Sequence, residues 1–528
     1  MRVVSIRCLS ALCAAAVCLV ALPAAASATA TQGEVDAAIA NAVEYVRGQQ
    51  DPATGEPFGF EHGSFSSDWV ATSLAAAGVS AADVRDAAPG SPSLQDFLFG
   101  DYSSEFWTGG EFETFTIVPN YERATLVAHA AGFDPARISA EANFPAQIAE
   151  RWNPAGPGFG ELGTTNTVFG ILALKTAGVP AWALSPVASY LRQSQHDDGG
   201  WTYSALATTA AKEVPSEPDM TGAAIAALCE AGAPPYDPSV APAIAYLQGL
   251  LVDSTGAIHY AFGDNADATA WAVSGLTACG IDPQSPAWTT PSGKTPIDHL
   301  LSLQVPSGPE AGGFGYQDTS EANLYSTQDA LRAIAGGVFT ADPPARVDPS
   351  QPSVHPAPPV PAGTPVPHLL AIGSSPGNVR MCKVTAPVGA PLTQVLVAAK
   401  TSSHPASCVT SFSVAGGRIA SLNGTAPANQ DEAWLLRLDR GAEGPAAEQP
   451  VGFGEVISLR LGEPRSSAAT ASGPQGAAGA VGAPGPGGKR GAKGRPGRNA
   501  HITCRAHGRK RSGKARVRCN VGKSKRRG

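Results

Sequence analysis

Across residues 33–340 the apolar positions recur at the helical period, in two alternating kinds of segment. One kind is rich in Ala and Gly, apolar almost all round, and closes on a glycine. These glycines are Gly78, Gly132, Gly178, Gly232, Gly280 and Gly336, at intervals of 54, 46, 54, 48 and 56 residues. DMTGAAIAALCEAG (219–232) and DATAWAVSGLTACG (267–280) show the pattern. Ten to thirteen residues before each glycine stands an Asp or Asn: Asp68, Asn120, Asn166, Asp219, Asp267 and Asn323. Each can cap a helix start by accepting from free backbone N–H groups, and the glycine supplies the left-handed residue that ends the helix. The other kind of segment is amphipathic and ends near a Gln, as in AIANAVEYVRGQQ (38–50), PVASYLRQSQ (186–195), VAPAIAYLQ (240–248) and PIDHLLSLQ (296–304).

Between the two kinds lies a glycine-aromatic turn. Phe58-Gly59-Phe60, Trp107 to Gly110, Gly158-Phe159-Gly160, Gly199-Gly200-Trp201 and Gly313 to Tyr316 are clear, and Gly256 to Tyr260 is a weaker sixth. The unit is therefore outer helix, turn, inner helix, six times over. Stacked hairpins of this kind predict an all-α (α/α)6 toroid at 33–340, with inner helices around a central cavity. An open solenoid is the competing geometry.

The pattern then changes. Residues 341–367 read as a linker, with ten prolines in 343–367, which favours extended polyproline II. Residues 368–463 carry short strand-like runs, GGRIASLNG (416–424), AWLLRLDR (433–440) and GEVISLRLG (454–462), and predict a small β-rich domain. LTQVLVAAK (392–400) suits a strand or a short helix. From Gly473 to 499 glycine recurs every third residue over nine triplets, the collagen-like Gly-X-Y spacing that a homotrimer would need. Residues 500–528 form a basic tail with two cysteines.

Residues 1–28 have the layout of a secretory signal peptide: Arg2 and Arg7, an apolar run from Cys8 to Leu22, and small residues offering cleavage after Ala28 or Ala30. A secreted, extracellular protein is expected. Charge refines that address. Residues 489–528 hold 16 Lys/Arg and no acid, whereas 29–488 hold 19 Lys/Arg against 44 Asp/Glu, a net of −25. Such a tail suits an anionic cell-envelope polymer. No aromatic interleaves its cations, so nucleic acid is not indicated. Six cysteines remain after the leader, and domain order favours the local pairs 229–279, 382–408 and 504–519 among the possible pairings.

YLRQSQHDDGGW (190–201) and GGFGYQDTSEANLYSTQDALRAIAG (312–336) resemble the repeat signature of terpene cyclases and protein prenyltransferases. That resemblance implies the toroid. The catalytic sets of these families are missing, with no D-x-D-D and no zinc-ligand set, and so is the thioester motif of the complement thioester-domain toroids, which this fold also resembles. Leu392–Lys400, the Gly417 to Gly424 stretch, Trp434 and Gly454-Glu455-Val456 resemble the β-grasp-like domain that closes transcobalamin and intrinsic factor. A toroid followed by that domain implies a cobalamin-like ligand held between the two.

The reading favoured by these features is an exported, non-catalytic binding protein for a small cobalamin-like or apolar ligand, tethered by its tail. The alternative is a cyclase-like, prenyltransferase-like or saccharide-active enzyme on the same toroid. In that reading Asp219 and Asp267 would be paired carboxylates; the plainer role for them is helix capping. The expected ligand wall lies at the starts of the inner helices, where free N–H groups can orient a ligand. It comprises Asp219, Thr221, Asp267, Thr269, Trp271, Asn323, Tyr325 and Gln328, with Trp434 closing from the β domain.

Overall fold

The computed structural model describes residues 29–463 apart from 59, 61–65, 87, 89, 109–116, 154–157, 161–162, 204–214, 348–357, 402–407 and 446–447, together with strands at 501–507 and 516–522. The leader and the Gly-X-Y segment lie outside the described residues. The chain forms two compact units, Met1–Ser466 and Ser467–Gly528.

The first unit is helix-rich with a small sheet. Its amphipathic helices are α1 (Gln32–Gly48), α3 (Leu94–Tyr102), α6 (Phe144–Ala149), α8 (Ala181–Gln193), α10 (Val240–Gly249) and α12 (Pro296–Ser302). They alternate with α2 (Val70–Ala76), α5 (Ile117–Ala130), α7 (Thr164–Thr176), α9 (Pro218–Glu230), α11 (Ala266–Ala278) and α13 (Leu324–Ile334). The second set is buried nearly all round. Every residue of α7 from Thr164 to Leu174 is buried, because small and apolar side chains leave no polar face to solvate. These helices touch in the cycle α2, α5, α7, α9, α11, α13 and back to α2, so the helical body closes on itself. The closest approach is α9 against α11, where neither Gly222 nor Gly275 has a Cβ to hold the backbones apart.

A glutamine just past the last outer helix and three inner-helix threonines hold turns in place. Gln304 Nε2 donates to Ala38 O in α1 and to Gly312 O, which links the last repeat to the first. Thr221, Thr269 and Thr327 Oγ1 accept from the backbone N–H groups of Trp201, Ile258 and Phe314. All six repeat glycines have positive φ, between 66° at Gly336 and 99° at Gly232, as a helix-ending glycine requires.

The expected caps are corrected. Of the six Asp and Asn residues only Asn323 caps its helix, accepting from Tyr325 and Ser326 N–H. Helix α9 starts one residue before Asp219 behind Glu217, and α11 starts behind Asn265, whose side chain accepts from Ala268 N–H. The second repeat also departs from expectation: Trp107 lies in a short helix, α4 (Glu105–Thr108), with its ring buried against Tyr102 and Phe144.

A sheet of order β2-β1-β6-β5 follows, from β1 (Pro365–Ser375), β2 (Asn378–Pro387), β5 (Ala433–Leu438) and β6 (Val456–Gly462). Strands β1 and β6 run parallel and the other pairs antiparallel. LTQVLVAAK is helical, as α14 (Leu392–Thr401) against β2, and β3 (Phe412–Ala415) pairs with β4 (Arg418–Leu422). The linker is shorter than its prolines suggest, since Pro365 and Pro367 already belong to β1. Disulfides join Cys229 to Cys279 and Cys382 to Cys408.

The sheet packs on the helical body. Leu369, Ala371, Met381 and Val456 belong to the same apolar core as the helices. Asn143 Nδ2 donates to Pro367 O at 3.0 Å, Lys383 pairs with Glu150, and Arg440 donates to Thr176 O at 2.7 Å. That last contact places a cation on the carbonyl end of α7, where the helix dipole favours it.

The second unit contributes β7 (His501–His507) and β8 (Arg516–Gly522), antiparallel, with Cys504 the Cα partner of Cys519. Whether the expected 504–519 bond forms lies outside the described side chains.

Candidate functional site

A cavity of about 260 Å³ opens at the N-terminal halves of the inner helices. Each inner helix or its preceding turn contributes to its wall, Trp69 from the start of α2 and Arg332 from α13 among them.

One side is aromatic. Trp69 and Phe169 lie with ring centroids 5.7 Å apart, and Phe169, Trp271 and Phe339 meet edge to face at 5.4–5.7 Å. The other side is charged. Arg123 Nε donates to Asp68 Oδ2 at 3.0 Å, and Tyr102 O–H donates to the same oxygen at 2.9 Å. Arg332 donates to Asp329 Oδ1 at 2.6 Å and stacks 4.3 Å from the Phe339 centroid. Ser326 O–H donates to Asp267 Oδ1 at 2.7 Å. Glu122 is 1% exposed, and neither of its carboxyl oxygens has a hydrogen-bond partner; Gln328 Oε1 is likewise buried and unpartnered.

Burial dominates the acid chemistry. It lifts Asp219 to about 6, partly offset by the Met220 N–H. It lifts Asp267 to about 7, and the neighbouring charge of Asp329 adds to the effect. Burial alone pushes Glu122 well above the usual carboxylate range. Near neutral pH the wall therefore holds carboxyls ready to be neutral or charged as their surroundings dictate.

The structure brings Asp219, Asp267, Trp271, Tyr325 and Gln328 together in the wall. It does not bring the others. Thr221 and Thr269 are spent on the turn backbones, and Asn323 is a helix cap. Trp434 is 3% exposed inside the β core, with Nε1 donating to Thr425 O. The sheet meets α7 at Thr176, whereas the cavity uses Thr165. At 1.5 Å per residue these ends of one helix are about 16 Å apart, so Trp434 does not close this cavity. Residues that the sequence reading misses are Glu122, Arg123, Asp329 and Arg332 with the rings of Trp69, Phe169 and Phe339. Their signal is present: charges standing inside otherwise apolar helices, in PNYERATL and STQDALRAI.

No family model matches the chain, and no curated protein matches it. Among solved structures, haptocorrin in complex with Cbi is 13% identical, with 82% of this chain and 98% of that one covered and a TM-score of 0.29. The type II terpene cyclase MstE from Scytonema, in its apo form, is 15% identical over 58% of this chain and 98% of that one, TM-score 0.37. UGL with dGlcA-Glc-Rha-Glc is 10% identical over 58% and 98%, TM-score 0.41. At these identities the likeness concerns fold alone.

Proposed function

We propose that the protein is an exported small-molecule-binding protein built on an (α/α)6 toroid with a β-grasp-like domain packed on it. The observation that carries this reading is Glu122, a fully buried carboxyl lining the cavity with both oxygens unpartnered. A buried polar group left unsatisfied costs about 1–3 kcal/mol, and a ligand that pairs with it recovers that cost. The two disulfides support an extracellular setting. The test is native mass spectrometry of the secreted chain, with thermal-shift screening against small metabolites. A bound species recovered chemically unchanged is expected. Absence of any bound mass together with no thermal shift would reject the reading.

Two other uses have their own support. Asp267, raised to about 7, stands near Asp329, which Arg332 and Trp271 hold by hydrogen bonds. A buried acid raised this far can hold or release a proton near neutral pH, so a ligand recovered in altered form would favour an enzyme. For a cobalamin-like ligand the roomier candidate is the cleft of about 750 Å³ between helices and sheet, lined by Trp182, Arg437 and Arg440, against about 260 Å³ for the cavity. Adding cobinamide and following its visible spectrum tests that cleft, and a Trp182→Ala variant should then lose the signal.

A further inference from the structure

We infer that the cavity, read above as a small-molecule site, takes a primary amine in its ammonium form, carried on a short apolar body. The inference rests on that reading and goes beyond it by assigning the ligand's charge and its hydrogen-bonding sense.

The charge argument is a matching of partners. Arg123 is taken by Asp68 and Arg332 by Asp329. Glu122, Asp219 and Asp267 remain, and among the described residues no ion pair reaches any of them. The site thus has three more carboxyls than it has cations to match them. The hydrogen-bonding argument is independent. The unpartnered atoms of Glu122 and Gln328 are oxygens, Oε1 and Oε2 of the first and Oε1 of the second. An ammonium group has three N–H donors and no acceptor, which suits these three oxygens once Glu122 has given up its proton. The rings of Trp69, Phe169 and Trp271 supply the apolar side, and aromatic faces also attract cations. An anion would meet the carboxyls at a disadvantage, and each arginine already has a carboxylate partner.

The pH dependence follows from the same groups. Asp219 lies on α9, Asp267 on α11 and Glu122 on α5, and they face Asp329 and Arg332 of α13. Tyr203, from the turn before α9, Tyr325 and Arg123 complete the titratable groups of the wall, and the charge of Glu217 at the head of α9 adds to the rise of Asp219. Burial lifts Asp219 and Asp267 to about 6 and 7, so ammonium binding draws protons off them. Glu122, raised by burial as well, must also give up its proton, so affinity should rise with pH by up to about tenfold per pH unit for each proton released.

The experiment uses the full secreted chain and one carbon skeleton in three charge states: phenethylamine, 2-phenylethanol and phenylacetate. Calorimetry at pH 5.5, 6.5 and 8, in buffers of different ionisation enthalpy, reads both affinity and proton release. Phenethylamine should bind at least tenfold tighter than the alcohol at pH 8, with protons released below pH 7. Glu122→Gln and, separately, Asp267→Asn should each weaken the amine while leaving the alcohol within about twofold. Alcohol or phenylacetate binding as tightly as the amine would overturn the ammonium assignment and leave the small-molecule reading standing. If none of the three binds, the assignment also fails, and native mass spectrometry then decides separately whether a different ligand occupies the cavity.

Discussion

The indole Nε1 of Trp271 donates to Asp329 Oδ2 at 2.7 Å, joining α11 to α13 across the cavity wall. The other oxygen of the same carboxylate accepts from Arg332 at 2.6 Å. Two helices, a ring of the apolar side and a buried cation thus depend on one side chain.

Asp329→Ala should therefore be strongly destabilising. It strips Arg332, whose side chain is 1% exposed, of its counter-charge and leaves the Trp271 N–H without an acceptor. Breaking a buried ion pair on one side costs about 3–5 kcal/mol. Asp329→Asn keeps an acceptor and should lose less. Urea unfolding followed by tryptophan fluorescence measures both, and a loss below about 1 kcal/mol for the alanine variant would show that the pair does not hold the two helices together.

The wall acids should make the protein less stable as pH rises. Asp219 and Asp267 move from 3.8 to about 6 and about 7 on folding, so the folded chain holds protons the unfolded chain has lost. Their contribution is full below about pH 4 and is lost as pH rises through 6 and 7, at roughly 1.4 kcal/mol for each tenfold difference in proton affinity between the folded and unfolded chain. Asp267→Asn should raise the melting temperature at pH 8 more than at pH 5. Melting curves of wild type and variant that stay parallel between pH 4.5 and 8.5 would contradict this.

Glycine placement yields a sharper structural test. A Cβ on Gly222 would lie 2.4 Å from Trp271 O and 2.7 Å from Ala272 Cα, both backbone atoms that cannot move aside. Gly222→Ala should force α9 from α11 and cost about 1–3 kcal/mol or more. Gly100, in α3, has open space around it. Gly100→Ala should therefore be neutral or stabilising, by up to about 1 kcal/mol. The denaturant midpoint should fall for Gly222→Ala and hold or rise for Gly100→Ala, and a Gly222→Ala midpoint equal to that of the wild type would contradict this.

Much of this architecture is legible in the sequence because glycine and helical periodicity are local signals. Gly78 through Gly336 mark helix ends wherever φ turns positive, and the apolar runs between them are the helices observed. Depth inside a helix is not local. Asp219 and Asp267 look like caps because both stand at the start of an apolar run, yet α9 and α11 begin one residue earlier, which carries the carboxyls to the cavity. Thr221 and Thr269 fall on the wall by the same reasoning from helix starts, but a turn N–H takes each hydroxyl. Trp434 rests on resemblance, while the alternation in AWLLRL, with Trp434 and Leu436 both in the β core, already turns it inward. Glu122 can be found as a charge in the middle of a buried helix, where a carboxylate has no ordinary structural reason to be.

The tail should act as a salt-sensitive tether. Its 16 Lys/Arg and absence of acids between 489 and 528 contrast with the acidic residues 29–488, so tail and body should differ in their affinity for polyanions. Exposed charges of this density act over roughly 8 Å at physiological salt, so retention on anionic cell-wall polymer should be strong at low ionic strength and fall steeply as salt rises. If the nine Gly-X-Y triplets assemble three chains, the tails bind together and retention should exceed that of one tail by about a hundredfold or more. A cell-wall pull-down across a salt series, comparing the full chain with one ended at Gly488, checks both points. Equal retention of the two chains at low salt would dismiss the tether, and analytical ultracentrifugation of the full chain at high salt tells whether three copies are present.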